Sequence, residues 1–284
     1  MANMELVELG RTGVMLPEIG LGTWKYGGGP EPLRRGIQLG AFLIDTAEMY
    51  RTEDAVGHAV RPIREQVFIA TKVLGSHLRR SQVLRAAEGS LRQLGVDVID
   101  LYQIHWPDPN VPIKETMGAL EELVDRKLVR YIGVSNFSIS EMQAAQAALR
   151  HSPIVSNQVL YNLRWREIEH DLLPYCQQHG VTVLAYTPLN DGELAGTGQR
   201  GRRRPGQGGP KDPALAVLAQ VAAETGKTQA QVTLNWCTAH PRVIAIPKSD
   251  SVARTEENCG ASGWRLTASQ MQRLNEAFAA PAAP

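Results

Sequence analysis

Asp45, Tyr50, Lys72 and His105 are the residues of this chain whose types and spacing could do chemistry together. Each lies at the C-terminal end of a short apolar run or just beyond it. Asp45 and Tyr50 fall in FLIDTAEMY, Lys72 in VFIATKV and His105 in VIDLYQIHW. A tyrosine is a poor acid at neutral pH, with an ordinary pKa of about 10. A nearby ammonium favours the phenolate and eases release of the proton. An Asp, a Tyr, a Lys and a His gathered at one point therefore make a proton donor for a carbonyl oxygen. Singly, each has a plainer use. Asp45 can cap the turn begun by DTAE, Lys72 can be solvated, and His105 can be a satisfied core histidine. Their occurrence in order at successive run ends favours the chemistry.

The elements that must position them follow from the apolar pattern. Eight short runs recur: EIGLGTW, FLIDT, VFIATKV, VIDLYQIH, VRYIGVSN, IVSNQVLY, VTVLAYTPL and VIAIPK. They are rich in β-branched residues and mostly do not alternate, as expected of parallel strands covered on both faces. Amphipathic segments separate them. SQVLRAAEGSLRQLG is predicted to start at an N-cap Ser81 and end at Gly95. IKETMGALEELVDRK places Ile113, Met117, Leu120 and Val124 on one face. EMQAAQAALR, REIEHDLLPYCQQHG and QAQVTLNWCTAH follow the same logic, as does a final helix in LTASQMQRLNEAF.

Eight strand–helix alternations predict an α/β fold, a closed (β/α)8 barrel spanning 1–284 as one domain. A hairpin, MELVEL and VMLPEI about Gly10-Arg11-Thr12-Gly13, should cap the barrel bottom. The competing open sheet would carry GxGxxG after its first strand, but Gly20-Leu21-Gly22-Thr23-Trp24-Lys25 ends in Lys. In a barrel the strand C-termini converge on one rim. Asp45, Tyr50, Lys72 and His105 then become neighbours.

Composition excludes several function classes. Thirty basic and 29 acidic residues leave a net charge of +1, which offers no global attraction to nucleic acid or membrane. No run is long enough to span a bilayer, and the N-terminus reads as neither signal nor anchor. Cys176, Cys237 and Cys259 have no paired or metal-like spacing, so reduced structural thiols, a cytoplasmic location and no metal site are expected. Residues 191–213 are Gly- and Arg-rich, with Arg200, Arg202, Arg203 and Arg204, and read as a mobile loop. A strap over a cofactor pyrophosphate is a sharper alternative, and a nuclear-targeting signal a weaker one.

DTAEMY, the TK of IATKV, QIHWP, GVSNF, AYTPL and IPKS, in this order, resemble the aldo-keto reductase family in its short, bacterial-type form. The resemblance runs from residue 5 to about residue 278. It implies the barrel, NADPH (or NADH) as cofactor and reduction of a small aldehyde or ketone. It makes Asp45, Tyr50, Lys72 and His105 a catalytic tetrad with Tyr50 as general acid. It also implies that Ser135, Asn136 and Gln158 grip a nicotinamide carboxamide and that Tyr186 stacks on the ring. Apart from the resemblance, Ser135-Asn136 could equally cap a helix, and Tyr186 could be a core aromatic. Lys248, Ser249 and Arg254 would meet a 2′-phosphate, which favours NADPH, and Glu257 and Asn258 the adenine. A cluster of Lys, Ser and Arg at a helix start is itself a phosphate-binding arrangement. Gly22, Thr23, Trp24, Asp45, Thr187 and Leu189 complete the expected cofactor contacts. Trp24, Met49 and Trp106 would wall the substrate pocket, with Lys25 nearby. Little chain follows Phe278, so a pocket open on that side is expected, in a monomer. A nucleotide-binding redox sensor or channel-subunit-like protein with slow catalysis is the rival reading. A phosphate-sugar enzyme or isomerase on the same barrel is a third.

Overall fold

The run FIATKV is buried along its whole length, and so is IDLYQI. Such runs form parallel strands because helices cover one face and the barrel interior the other. The computed structural model describes residues 4–196 and 212–279. Strands β1 (Leu6–Glu8) and β2 (Met15–Pro17) form an antiparallel hairpin. Eight parallel strands follow in sheet order: β3 (Leu21–Gly22), β4 (Leu43–Asp45), β5 (Phe68–Val73), β6 (Ile99–Ile104), β7 (Val129–Ser135), β8 (Ile154–Leu160), β9 (Thr182–Tyr186) and β10 (Val243–Ala245). The helices are α1 (Pro30–Gln38), α2 (Glu53–Val60), α3 (Arg80–Leu94), α4 (Ile113–Asp125), α5 (Ile139–Ala148), α6 (Leu172–His179), α7 (Pro213–Thr225), α8 (Gln229–Thr238), α9 (Val252–Cys259) and α10 (Ala268–Ala277).

The barrel closes where its first strand meets its last. Ile19 bridges Ala245 and Gly22 bridges Lys248, both in parallel. The Gly20 amide donates to the Ala245 carbonyl at 2.8 Å, and the Gly22 amide to that of Pro247 at 3.0 Å. Closure requires glycine at position 22, since a Cβ there would lie 2.6 Å from the Ile246 carbonyl oxygen. The hairpin plugs the bottom. Leu9 and Leu16 join Leu43, Phe68, Leu101, Val155, Leu184 and Ile244 in one interior cluster.

Strand parity carries this interior up to the rim. Alternate residues of a strand face the same side. On β4 the inward Leu43 is followed by Asp45. On β5 the inward Phe68 and Ala70 are followed by Lys72. On β6 the inward Leu101 is followed by Gln103 and, one step past the strand, His105. The parity that builds the core at the bottom thus aims four polar side chains inward at the top.

Three expectations change. α3 is capped at Arg79 and not at Ser81. Gln82 Oε1 accepts the Arg79 amide and Glu115 Oε1 the Arg80 amide, so no serine hydroxyl is needed there. The stretch 191–213 is not one loop. Residues Asn190–Ala195 form a 3₁₀ turn against the barrel, and Pro213 already begins α7, which Asp212 caps. The intervening 197–211, with Arg200, Arg202, Arg203 and Arg204, lies outside the described residues, as does any strap they would form. Finally, among the described residues two helices, α7 and α8, separate β9 from β10 where one would suffice.

Among the described residues no helix is long and apolar enough to cross a membrane. All three cysteines are buried and unpaired, and burial pushes the Cys176 and Cys259 thiols up to about 12.

Candidate active site

Lys72 is fully buried at the end of β5, and all its donors are spent. Its Nζ donates to Asp45 Oδ1 and Oδ2 at 2.7 and 2.9 Å and to the Thr46 carbonyl at 2.8 Å. A longer contact of 3.4 Å reaches Tyr50 Oη. Asp45 therefore does not cap the following turn. Its carboxylate also accepts from Gln158 Nε2 at 2.7 Å, across the barrel from β8. Burial pushes the Lys72 ammonium down, while the charge and hydrogen bonds of Asp45 hold it up. Glu53, buried at the start of α2 and bonded by Thr71 Oγ1 at 2.5 Å, adds a second negative charge behind the lysine.

Tyr50 ends a 3₁₀ turn, Glu48–Tyr50, that follows β4. Glu48 anchors that turn by accepting from the Leu74 amide at 2.9 Å and pairing with His77 Nδ1 at 2.8 Å. The Tyr50 ring meets Trp24 edge-on at 4.9 Å and His105 at 5.4 Å. Its acidity departs from expectation. Burial, then the charge of Asp45 and the neighbouring Tyr186, push the phenol above its ordinary range. The ammonium does not win, because burial outweighs it and Asp45, closer to Lys72 than Tyr50 is, offsets its charge. At neutral pH Tyr50 holds its proton, as a donor must before it can give one.

His105 is buried and stacks on Trp106 at 3.7 Å. Burial, helped by the Lys72 charge, pushes the imidazole down to about 3. The ring is therefore neutral. Its buried Nδ1 has no partner among the described residues, so the proton is best carried on Nε2. This has a consequence for stability. The unfolded histidine takes up a proton near pH 6.5, the folded one only near pH 3. The contribution of a neutral His105 is thus complete above pH about 6.5 and drains as pH falls toward 3, by at most about 1.4 kcal/mol per pH unit. His105→Gln is expected to flatten the acid limb of urea stability between pH 7 and pH 4. An unchanged limb would mean that other groups carry it.

A cavity of about 470 Å³ runs from this cluster along the rim to α9. Gly22, Thr23, Trp24, Asp45, Met49, Tyr50, His105 and Trp106 line it, together with Ser135, Asn136, Gln158, Tyr186, Thr187 and Leu189. Lys248, Arg254, Glu257 and Asn258 line it toward α9, with Lys248 bridged to Gly22 at the barrel seam. Ser249 stands outside the lining, with its hydroxyl donating to the Ser251 carbonyl at 2.9 Å. Lys25, Asp191, Gly192 and Ala195 also face the cavity. The last three fall within what reads in sequence as a polar loop.

Ser135 and Asn136 are not a helix cap, since Ser138 caps α5. Ser135 Oγ donates to the Gln158 carbonyl at 2.9 Å. Asn136 adopts a left-handed φ of 60°. Its Nδ2 donates to the His105 carbonyl and to Ser135 Oγ, each at 3.1 Å, while its Oδ1 accepts from Tyr186 Oη. Gln158 Nε2 is committed to a carboxylate that only accepts, which turns its Oε1 to other uses. No described residue donates to that oxygen. Toward α9 Lys248 pairs with Asp250, whose Oδ1 accepts the Gly27 amide at 3.0 Å.

The residues along this cavity fit a dinucleotide. A free amide oxygen and an aromatic face lie near the tetrad, and two cations lie beside the N-terminus of α9. Sequence reasoning missed the link from Gln158 to Asp45 and the carbonyl of Thr46 as a lysine acceptor. A residue's type does not reveal a partner 113 positions away.

Comparison with known proteins bears on the family and the fold. The family model described as Aldo/keto reductase family matches residues 18–279. Methylglyoxal reductase YeaE of Escherichia coli (strain K12) is 37% identical over 278 residues, covering 94% of this chain and 93% of that protein. The crystal structure of an aldo-keto reductase from Klebsiella pneumoniae in complex with NADPH superposes with a TM-score of 0.85 at 36% identity, covering 99% of this chain and 97% of that one. A thermostable aldo-keto reductase, Tm1743, solved with the inhibitor epalrestat, gives a TM-score of 0.84 at 38% identity, covering 96% and 100%.

Proposed function

The chain belongs to the aldo/keto reductase family, and we propose that it is an NADPH-dependent oxidoreductase that reduces aldehydes or ketones to alcohols. The observation that carries this reading is the buried Asp45–Lys72 pair with Tyr50 Oη 3.4 Å from the ammonium, at the wall of a cavity that continues to Lys248 and Arg254.

Bound NADPH supplies the hydride for the carbonyl carbon. The protein's part is to hold and move a proton. Tyr50 gives its Oη proton to the carbonyl oxygen as that oxygen becomes an alkoxide, a stronger base than the phenolate left behind. Lys72 lies where it can stabilise that phenolate, and Asp45 keeps the lysine charged and in place. Neutral His105 donates from Nε2 and orients the carbonyl. Trp24, Met49 and Trp106 would wall the substrate side with apolar surface, which suits small apolar carbonyl compounds. Ser135, Asn136 and Gln158 would hold the nicotinamide carboxamide, and Tyr186 would stack on its ring. Asn136 has both Nδ2 hydrogens engaged but keeps a second lone pair on Oδ1, and Gln158 Oε1 is available as it stands. Lys248, Ser249 and Arg254 would meet the 2′-phosphate, and Glu257 and Asn258 the adenine. Because NADH lacks that phosphate, NADPH is the expected cofactor. A phosphate must compete with Asp250 for Lys248.

The test is a steady-state screen of aldehydes, ketones and sugars with NADPH and with NADH, followed by absorbance. Methylglyoxal belongs in it because of the E. coli relative's name. Turnover of small aldehydes with NADPH is expected. Tight NADPH binding with no turnover of any carbonyl would overturn the reading in favour of a nucleotide-binding sensor.

A further inference from the structure

We propose that Arg164, which lies outside the cavity, is a positioning residue that holds the cavity's β9-side wall in its ligand-binding shape. The inference rests on the reading of the cavity as a dinucleotide site.

That wall is Thr187, Pro188, Leu189, Asp191, Gly192 and Ala195. Its backbone is unusual. Thr187, Asn190 and Asp191 adopt left-handed φ values of 52°, 47° and 51°, followed by Gly192 at 88°. Side chains make this conformation costly, above all at the β-branched Thr187. It persists only where the surroundings over-determine it.

The restraints come from the turn after β8. Asn162 Nδ2 donates to the Thr187 carbonyl at 2.9 Å, and Asn162 Oδ1 accepts the amides of Arg164 and Trp165 at 2.8 and 3.1 Å. Arg164 Nη2 donates to Glu193 Oε1 at 2.9 Å. Glu193 Oε2 in turn accepts from Asn190 Nδ2, inside the left-handed stretch. The same Arg164 nitrogen pairs with Asp212, the cap of α7, whose other oxygen accepts the Ala214 amide at 2.9 Å. The guanidinium lies over the Phe278 ring at 4.8 Å and is only one-quarter exposed. One cation therefore ties the 3₁₀ turn, the start of α7 and the end of α10 to the barrel. Without it, two carboxylates face each other and the strained wall loses its outer support.

The experiment measures NADPH binding to the cofactor-free protein by fluorescence titration and stopped-flow dissociation, alongside kinetics. Arg164→Met is expected to raise Kd and KM for NADPH about tenfold and to speed dissociation. Turnover at saturating NADPH should stay within about twofold, as should the aldehyde KM. Arg164→Lys should recover much of the loss, because an ammonium can still bridge Glu193 and Asp212. A folded Arg164→Met protein with parental Kd and dissociation rate would overturn the proposal, and so would a fall in turnover with NADPH KM unchanged. Should Arg164→Met fail to fold, Glu193→Gln removes only the wall arm and Asp212→Asn only the helix arm. The first is expected to give the larger rise in Kd, and equal or reversed effects would overturn the proposal. Failure of the parent protein to bind either dinucleotide would instead defeat the functional reading itself.

Discussion

Tyr50→Phe is expected to lower turnover of a good aldehyde by about 10²–10⁴, the usual worth of a positioned general acid, while NADPH binds with parental affinity. The substitution removes only Oη. The ring remains against Trp24 at 4.9 Å and His105 at 5.4 Å, so the wall of the cavity keeps its shape. Among the described residues Oη has one weak hydrogen-bonding contact, at 3.4 Å from Lys72 Nζ. Losing it should leave stability within about 0.5–1.5 kcal/mol of the parent. The separation of effects is what makes the test sharp. A rate loss with unchanged Kd and unchanged urea midpoint isolates proton transfer from binding and folding. Reduction of a good aldehyde by the phenylalanine variant at the parental rate would remove Tyr50 from the mechanism.

The same phenol shows where reasoning from residue types stops. The ammonium of Lys72 was expected to make Tyr50 more acidic, yet burial and Asp45 make it less so. Sequence places charges near each other but shows neither how deeply they are buried nor how their distances rank, and burial contributes most to the shift. Asp45 takes Lys72 at 2.7 Å, and Tyr50 stands at 3.4 Å. Placement was more legible than energetics. Asp45, Lys72 and His105 could be placed on one rim because each lies at or just past the end of a legible apolar run such as VFIATKV, and strand C-termini converge in a barrel. Each residue in such a run has a determined face once the barrel is assumed. Partners across the barrel were not legible. Gln158 reaches Asp45 from the opposite side of the sheet, and Arg164 reaches Glu193 and Asp212 across a stretch that reads as low complexity. No local pattern encodes such pairs. Helix starts failed for a related reason. Ser81 has the right type for a cap, but Glu115 of the neighbouring helix satisfies the free amide first.

Lys72→Met should cost both stability and activity, and the stability loss bears most directly on how the site is built. Asp45 and Lys72 are both buried, and their charges are bearable only together. Removing the lysine leaves a buried carboxylate held by Gln158 alone, and breaking such a pair typically costs about 3–5 kcal/mol. The loss should be partly reversed in Asp45→Asn/Lys72→Met, where no unpaired charge remains and the introduced amide oxygen can still accept from Gln158. Both variants should be inactive, so recovered stability would not bring recovered turnover. Urea unfolding of parent, single and double variants at pH 7 measures all of this. A single variant as stable as the parent, or a double variant no more stable than the single one, would mean that the pair does not anchor the site as its geometry indicates.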